Sequence, residues 1–215
     1  MANYVGISNG FHDAAISVIS EHGNILFAGH SERYSKNKHD KELCRDLALD
    51  AVNYCNGRPE IHYYERPWLT ALRQLRAGQP IDFASAKKRI GQNVLNVLGY
   101  SKIQTHSHHL SHAAAGFQTS PFKRATVVVI DAIGEWDTIS IWGAEYKNGK
   151  ATYKRLWGQK YPHSIGLFYT AMTERVGLKP MEEEYILMGM AAYGRDLPSV
   201  LINHALVEDK EEIRF

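Results

Sequence analysis

The stretch Ala125-Thr126-Val127-Val128-Val129-Ile130-Asp131 carries the strongest β-strand pattern in this chain of 215 residues. It contains a run of β-branched apolar residues, which fit the pleated surface of a sheet. A polar loop at 132–137 leads to a second predicted strand at 138–146, and the turn Lys147-Asn148-Gly149-Lys150 leads to a third at 151–158. The stretch therefore opens a predicted three-stranded antiparallel meander.

The same succession of strand, Asp-bearing loop, strand, Gly turn and strand is predicted within residues 3–32. Asp13 and Asp137 hold equivalent places, at the start of the second strand of each copy. A duplicated meander predicts an α/β fold with two lobes, the first at 1–122 and the start of a second, incomplete lobe at 123–215. The strand–loop–strand turns are expected to face a cleft between the lobes, where backbone N–H groups can hold phosphate.

Helices are predicted where apolar residues recur at a spacing of three or four. The predicted helices lie at about 41–55, 69–75, 86–98, 165–176 and 182–192.

Composition places the chain among soluble globular proteins, with 44% hydrophobic and 22% charged residues. A net charge of +2 is too balanced to favour binding of nucleic acid or of a membrane surface. No apolar run approaches the roughly 20 residues of a membrane span, and the first residues lack the pattern of a signal peptide. Cys44 and Cys55 are expected to be reduced core residues, which favours a cytoplasmic location.

Four histidines fall within the seven residues His106-Ser107-His108-His109-Leu110-Ser111-His112, directly before an Ala run that favours a helix. If the helix begins near His108, then His108 and His112 stand at i and i+4 on one face, where both imidazoles can reach one metal ion. The alternative is a solvated polar turn with Ser107 or Ser111 as the helix cap. His106 and His109 are expected to lie outside the ligand set.

Six stretches in this order resemble the N-terminal part of the NodU/CmcH carbamoyltransferases, which form O-carbamoyl groups on sugars, aminoglycosides and cephalosporin-like products. The resemblance spans about residues 1–195. The stretches are Gly10–Ala15; Glu32–Ser35 with Lys38–Asp40; His108–Ala113; Asp131 with Gly134-Glu135; Pro162 with Ser164–Gly166 and Tyr169; and Glu184-Tyr185 with Met188–Ala191 and Tyr193-Gly194.

The resemblance implies a duplicated actin-like/sugar-kinase ATPase architecture with ribonuclease H-like lobes. Members of the family normally continue beyond this length. They complete the second lobe and add a YrdC-like domain, in which carbamoyl phosphate and ATP give carbamoyladenylate. The partners expected for this chain are therefore those missing regions, in cis or in trans, and a small-molecule hydroxyl acceptor. Asp131-Ala132 departs from the family's usual Asp-Gly, which counts against close approach of this turn to phosphate.

The resemblance also implies roles for individual residues. His108 and His112 match the family's metal pair, and Asp131 falls where a third, carboxylate ligand is expected. Two imidazoles and a carboxylate suit Fe(II), which is favoured here, or Zn or Mn. The alternative for Asp131 is a strand-end residue that caps the turn.

His12 matches the family's candidate general base for the acceptor hydroxyl, since an imidazole can accept a proton near neutral pH. The alternative is a turn histidine that bonds to the backbone. Lys38 matches a basic residue near the anionic intermediate, although Lys36 could substitute and a solvated charge run would look the same. Glu135 and Asp137 could orient nucleotide phosphates through Mg²⁺, or belong to a solvated loop.

The leading hypothesis is an O-carbamoyltransferase that moves a carbamoyl group from carbamoyladenylate to an acceptor hydroxyl at a metal-containing cleft. The 215 residues alone are expected to turn over little or nothing with ATP and carbamoyl phosphate. One alternative is a relative of the enzymes that make threonylcarbamoyladenosine in tRNA, against which the balanced charge counts. Another is a non-catalytic remnant, or half of a split enzyme, that binds metal or nucleotide.

Overall fold

A five-stranded sheet organises the first part of the chain in the computed structural model, which describes residues 4–99, 102–195, 207–209 and 212–214. Its order is β3-β2-β1-β4-β5. The first three strands form the antiparallel meander, and β4 and β5 pair parallel beside β1. The bounds are β1 Tyr4–Ser8, β2 Ala15–Ile19, β3 Ile25–His30, β4 Glu60–Tyr63 and β5 Lys102–Thr105.

Five helices accompany this sheet: α1 Glu32–Ser35, α2 Arg45–Val52, α3 Pro67–Arg76, α4 Ala86–Ile90 and α5 Gln92–Leu98. Alternate residues of β1, β2 and β4 are buried, and they share one core with the apolar faces of α2, α4 and α5. The helix predicted at 86–98 is two helices, because Gly91 at φ 87° interrupts it. The helix predicted at 41–55 is shorter than expected, and α1 was not predicted.

Helix α6, His108–Gln118, begins at the residue that the histidine spacing required. The chain divides inside this helix, into units of residues 1–111 and 112–215, whereas the sequence placed a boundary at 122/123. The first turn of α6 is tied to the first unit, since the Ser111 hydroxyl donates to the Tyr64 carbonyl at 2.8 Å.

The second unit contains the second meander, and its strands are twice as long as those of the first. They are β6 Arg124–Gly134, β7 Asp137–Lys147 and β8 Lys150–Lys160, paired antiparallel in the order β6-β7-β8. Helices α7 Ile165–Arg175 and α8 Glu184–Ala191 follow, and then the short hairpin of β9 Val207–Asp209 and β10 Glu212–Arg214.

The predicted α/β architecture is confirmed, and each unit contains the predicted three-stranded antiparallel meander. The turn between β7 and β8 uses Asn148 and Gly149, both at positive φ, as the sequence predicted for a tight hairpin. Among the described residues, no helix is both long enough and apolar enough to cross a membrane. Cys44 and Cys55 are free thiols at either end of α2.

Candidate functional site

His112 and Asp131 lie together in the second unit. The Nε2 atom of His112 is 3.9 Å from the Asp131 carboxylate, a distance that a bound cation could bridge. The His112 side chain is 55% exposed and that of Asp131 27%, so solvent reaches the pair. His108 precedes His112 by one turn of α6, on the same face of that helix.

The backbone around Asp131 is fixed by the start of α7. Asp131 lies where the pairing of β6 with β7 shifts register, between Ile130 and Gly134. The Ser164 hydroxyl contacts the carbonyl oxygens of Ala132 at 2.7 Å and Asp131 at 3.2 Å. Ser164 also caps α7, accepting from the Leu167 N–H at 3.1 Å, so one serine ties the helix to the strand end.

Gly166 lets α7 approach this strand end closely. A Cβ atom at position 166 would lie 2.6 Å from the Ala132 Cα and 3.0 Å from the Asp131 carbonyl carbon. Only a residue without a side chain fits there. The Asp131 carboxylate in turn accepts from the Ala132 N–H at 2.7 Å, which orients one of its oxygens.

In the first unit, a buried carboxylate that the sequence did not single out lies beside His108. The Glu65 residue is only 5% exposed, and one of its oxygens is 3.6 Å from His108 Nδ1. Arg89 forms an ion pair with its other oxygen. Burial alone would raise the pKa of Glu65, but His108 and Arg89 together outweigh burial and hold that pKa below its ordinary value.

Asp13 joins two histidines in the first unit. One of its oxygens is 2.8 Å from His12 Nδ1, and the other is 3.2 Å from His39 Nδ1. The His39 N–H donates to Glu32 at 3.2 Å. Burial acts to raise the pKa of Asp13, but its bonds to His12 and His39 prevail and lower it. Asp13, Glu32 and His39 offer ligand atoms within 4.8 Å of one another.

The predicted general base His12 is therefore not bonded to the backbone through Nδ1 but to a carboxylate, which orients its ring. The predicted basic residue Lys38 is exposed. Lys36, the alternative, donates from Nζ to the Arg33 carbonyl at 2.8 Å. It also forms the left-handed C-cap of α1, so both of these contacts are structural.

Asp137, predicted to orient phosphates, accepts two hydrogen bonds from Arg155, each of 2.8 Å. Gly158 makes room for this pair, since a Cβ there would collide with the Arg155 guanidinium. Glu135 occupies the turn before Asp137, is 5% exposed and has a left-handed backbone with φ 59°. The phosphate role of these two residues stays a prediction.

Of the remaining clustered histidines, His109 is fully buried, whereas His106 stacks on His62. His62 Nδ1 and His106 Nε2 are 2.8 Å apart and share a hydrogen bond. Burial lowers the pKa of both rings. The pair lines a cavity of about 430 Å³ on the face of the sheet that carries Gly6, Ala15 and other small residues.

Comparison with known proteins identifies the family. Residues 82–215 match the family described as "Carbamoyltransferase N-terminus". The chain belongs to this family, which confirms the resemblance to the NodU-type carbamoyltransferases.

Alignments with related proteins cover all or nearly all of this chain. An uncharacterised protein of Synechocystis, sll1178, is 31% identical over 100% of this chain and 38% of its own length. The nodulation protein NolNO of Sinorhizobium fredii is 27% identical over 91% of this chain and 30% of its own length. The chain thus spans between about three tenths and two fifths of the lengths of these relatives.

Two solved structures are similar at low identity. YeaZ from Pseudomonas aeruginosa is 13% identical with a TM-score of 0.34, covering 73% of this chain and 67% of its own. A ROK family protein from Streptococcus pneumoniae, solved in complex with sucrose, is 16% identical with a TM-score of 0.39, covering 89% of this chain and 68% of its own.

Proposed function

We propose that this chain is the acceptor-side part of an O-carbamoyltransferase, in which His108, His112 and Asp131 bind one divalent metal ion. The proposal is supported chiefly by the approach of His112 Nε2 to the Asp131 carboxylate, 3.9 Å, in a member of the carbamoyltransferase family. His108 adds a second imidazole one turn earlier on the same face of α6.

The donor set fits the proposed metal. Two imidazoles and one carboxylate suit Fe(II), Zn or Mn and leave coordination positions open. When bound, such an ion would supply Lewis-acid polarisation of a carbamoyl or phosphate oxygen. Ser164 and Gly166 fix the strand end that presents Asp131, and the rigidity of α6 fixes the spacing of the two imidazoles.

His12 would act on the acceptor. In the proposed step the acceptor hydroxyl oxygen attacks the carbamoyl carbon of carbamoyladenylate, a new C–O bond forms, and the bond from that carbon to the phosphate oxygen breaks. AMP leaves, and the hydroxyl proton passes to a ring nitrogen of His12. Asp13 holds the other nitrogen, Nδ1, which leaves Nε2 to take the proton, and the negative charge of Asp13 stabilises the imidazolium that forms.

Metal content tests the site. Wild-type protein purified anaerobically should contain bound Fe, Zn or Mn, and His112→Ala and Asp131→Asn should lose it. His22→Ala removes a histidine that is 75% exposed and lies far from the ligands in sequence, so this control variant should retain the metal. A wild-type protein free of metal, or one whose content survives both ligand substitutions, would refute the metal site.

The transfer step is tested separately by supplying carbamoyladenylate, because its synthesis is expected to require the further YrdC-like domain. Release of AMP should depend on an added aminoglycoside or hexose acceptor and should fall in His12→Gln. Acceptor-dependent release that His12→Gln leaves unchanged would exclude His12 as the base.

A further inference from the structure

We propose that Glu65 is a positioning residue for His108: its carboxylate keeps the proton of the neutral imidazole on Nδ1 and leaves Nε2 to bind the metal ion. This inference rests on the proposed metal site, and it assigns a role to a residue outside the predicted ligand set.

The position of Glu65 is determined by strand β4 and by the contacts of the neighbouring residue Tyr64. Glu65 follows β4 by two residues, where Tyr64 holds the first turn of α6 in two ways. The Tyr64 carbonyl accepts from the Ser111 hydroxyl, and the Tyr64 ring meets the His108 ring edge-on at 5.3 Å between centroids. The carboxylate next in sequence to Tyr64 is therefore carried to the side of His108 that presents Nδ1.

Burial makes the charge of Glu65 effective. The side chains of Glu65 and His108 are 7% and 15% exposed, so water screens the interaction little. The separation of 3.6 Å exceeds a hydrogen-bond length, so the carboxylate acts mainly through its charge. A proton on Nδ1 lies closer to this charge than one on Nε2, which favours the Nδ1–H tautomer.

Arg89 explains how a carboxylate is tolerated in this position. It forms an ion pair with Glu65 and a second one with Asp82 at 3.2 Å, and Thr70 donates to Glu65 at 3.4 Å. A metal-binding imidazole that gives its other N–H to a carboxylate is a common arrangement in metal sites, and loss of the carboxylate typically weakens metal binding 10- to 100-fold.

The competing explanation is that Glu65 serves only the ion pair with Arg89. Two substitutions separate these roles. Glu65→Gln removes the charge beside His108 and also breaks the ion pair. Arg89→Gln breaks the same ion pair but leaves the carboxylate in place. A purely structural role predicts the same consequence for both variants.

The first measurement is Zn²⁺ affinity, by competition with a chromophoric chelator, for wild type and both variants, with thermal unfolding as the check on folding. We expect Glu65→Gln to bind Zn²⁺ about 10-fold or more weakly than wild type. Arg89→Gln should bind clearly more tightly than Glu65→Gln. Equal losses in the two variants, or no loss in Glu65→Gln, would overturn the positioning role alone. Absence of Zn²⁺ binding by wild type would instead overturn the metal site and this inference together.

The second measurement needs no metal. The ¹⁵N shifts of the His108 ring, recorded on metal-free protein near pH 8, report which nitrogen carries the proton. Wild type should show the Nδ1–H tautomer, and Glu65→Gln should shift the population towards Nε2–H. An Nε2–H tautomer in wild type would overturn the inference, whatever the Zn²⁺ affinities are.

Discussion

Replacement of Gly166 by alanine tests how tightly α7 is packed on the strand end that carries Asp131. The added Cβ would meet the Ala132 Cα at 2.6 Å, about 0.8 Å short of ordinary contact, and every near neighbour is a backbone atom that cannot rotate away. Overpacking of this kind costs about 1–3 kcal/mol. Alanine would regain up to about 1 kcal/mol of helix propensity. With the full propensity gain we therefore expect a net loss of about 0–2 kcal/mol in the free energy of unfolding, and a deficit of about 1–3 kcal/mol relative to a glycine-to-alanine control that has the same gain and no clash.

Urea unfolding, followed by tryptophan fluorescence, measures this loss. Gly189→Ala is the matched control, because position 189 lies in helix α8 and a Cβ there has nothing within 4 Å. The control should be neutral or more stable by up to about 1 kcal/mol. If Gly166→Ala were as stable as Gly189→Ala, the claim that α7 packs closely against the strand end at Asp131 would be refuted. Metal affinity should also fall in Gly166→Ala, since the strand end must move.

Two further predictions concern pH and charge. Burial lowers the pKa of both His62 and His106 below the ordinary 6.5, so the unfolded chain takes up protons first as the pH falls. The contribution of the two histidines to stability is therefore complete above about pH 6.5 and declines below it. The difference between the urea midpoints at pH 8 and pH 5.5 should be smaller in a His62→Gln/His106→Gln variant than in wild type. An equal difference in the two proteins would contradict this. Asp137→Asn leaves the Arg155 guanidinium without its carboxylate and should cost about 1–3 kcal/mol in urea unfolding. Glu145→Gln, in an exposed ion pair, should leave the midpoint unchanged, and equal effects of the two substitutions would refute a special role for the Arg155 pair.

The elements with strong local patterns were predictable. The β-branched run at 125–131 lies within β6, and the Asn-Gly turn at 148–149 joins β7 to β8 as expected. The break at Gly91 was missed because the apolar spacing continues through it, while the backbone there adopts φ 87°. The helix α1 is a single short turn within a charged segment. Its N-cap residue Ser31 makes no side-chain capping bond, and its C-cap is Lys36 in a left-handed conformation, which the sequence does not signal.

The candidate site was predictable only where it depends on local spacing. The i, i+4 pair of His108 and His112 needs nothing but a helix, and α6 begins where that pair requires. Glu65 could not be found, because its approach to His108 depends on parallel pairing of β4 with β5, which brings together residues far apart in sequence. The contact of Asp137 with Arg155 depends likewise on the register between β7 and β8.

The Arg155 side chain passes across Gly158 to reach Asp137, so the residues at 137, 155 and 158 depend on one another. The guanidinium reaches Asp137 through space that any larger residue at 158 would fill. A side chain at 158 would displace the Arg155 guanidinium from this path, and the largely buried Asp137 carboxylate would lose part of its pairing. The three positions 137, 155 and 158 therefore act together in this chain, and we expect a side chain introduced at Gly158 to weaken the Arg155–Asp137 pair.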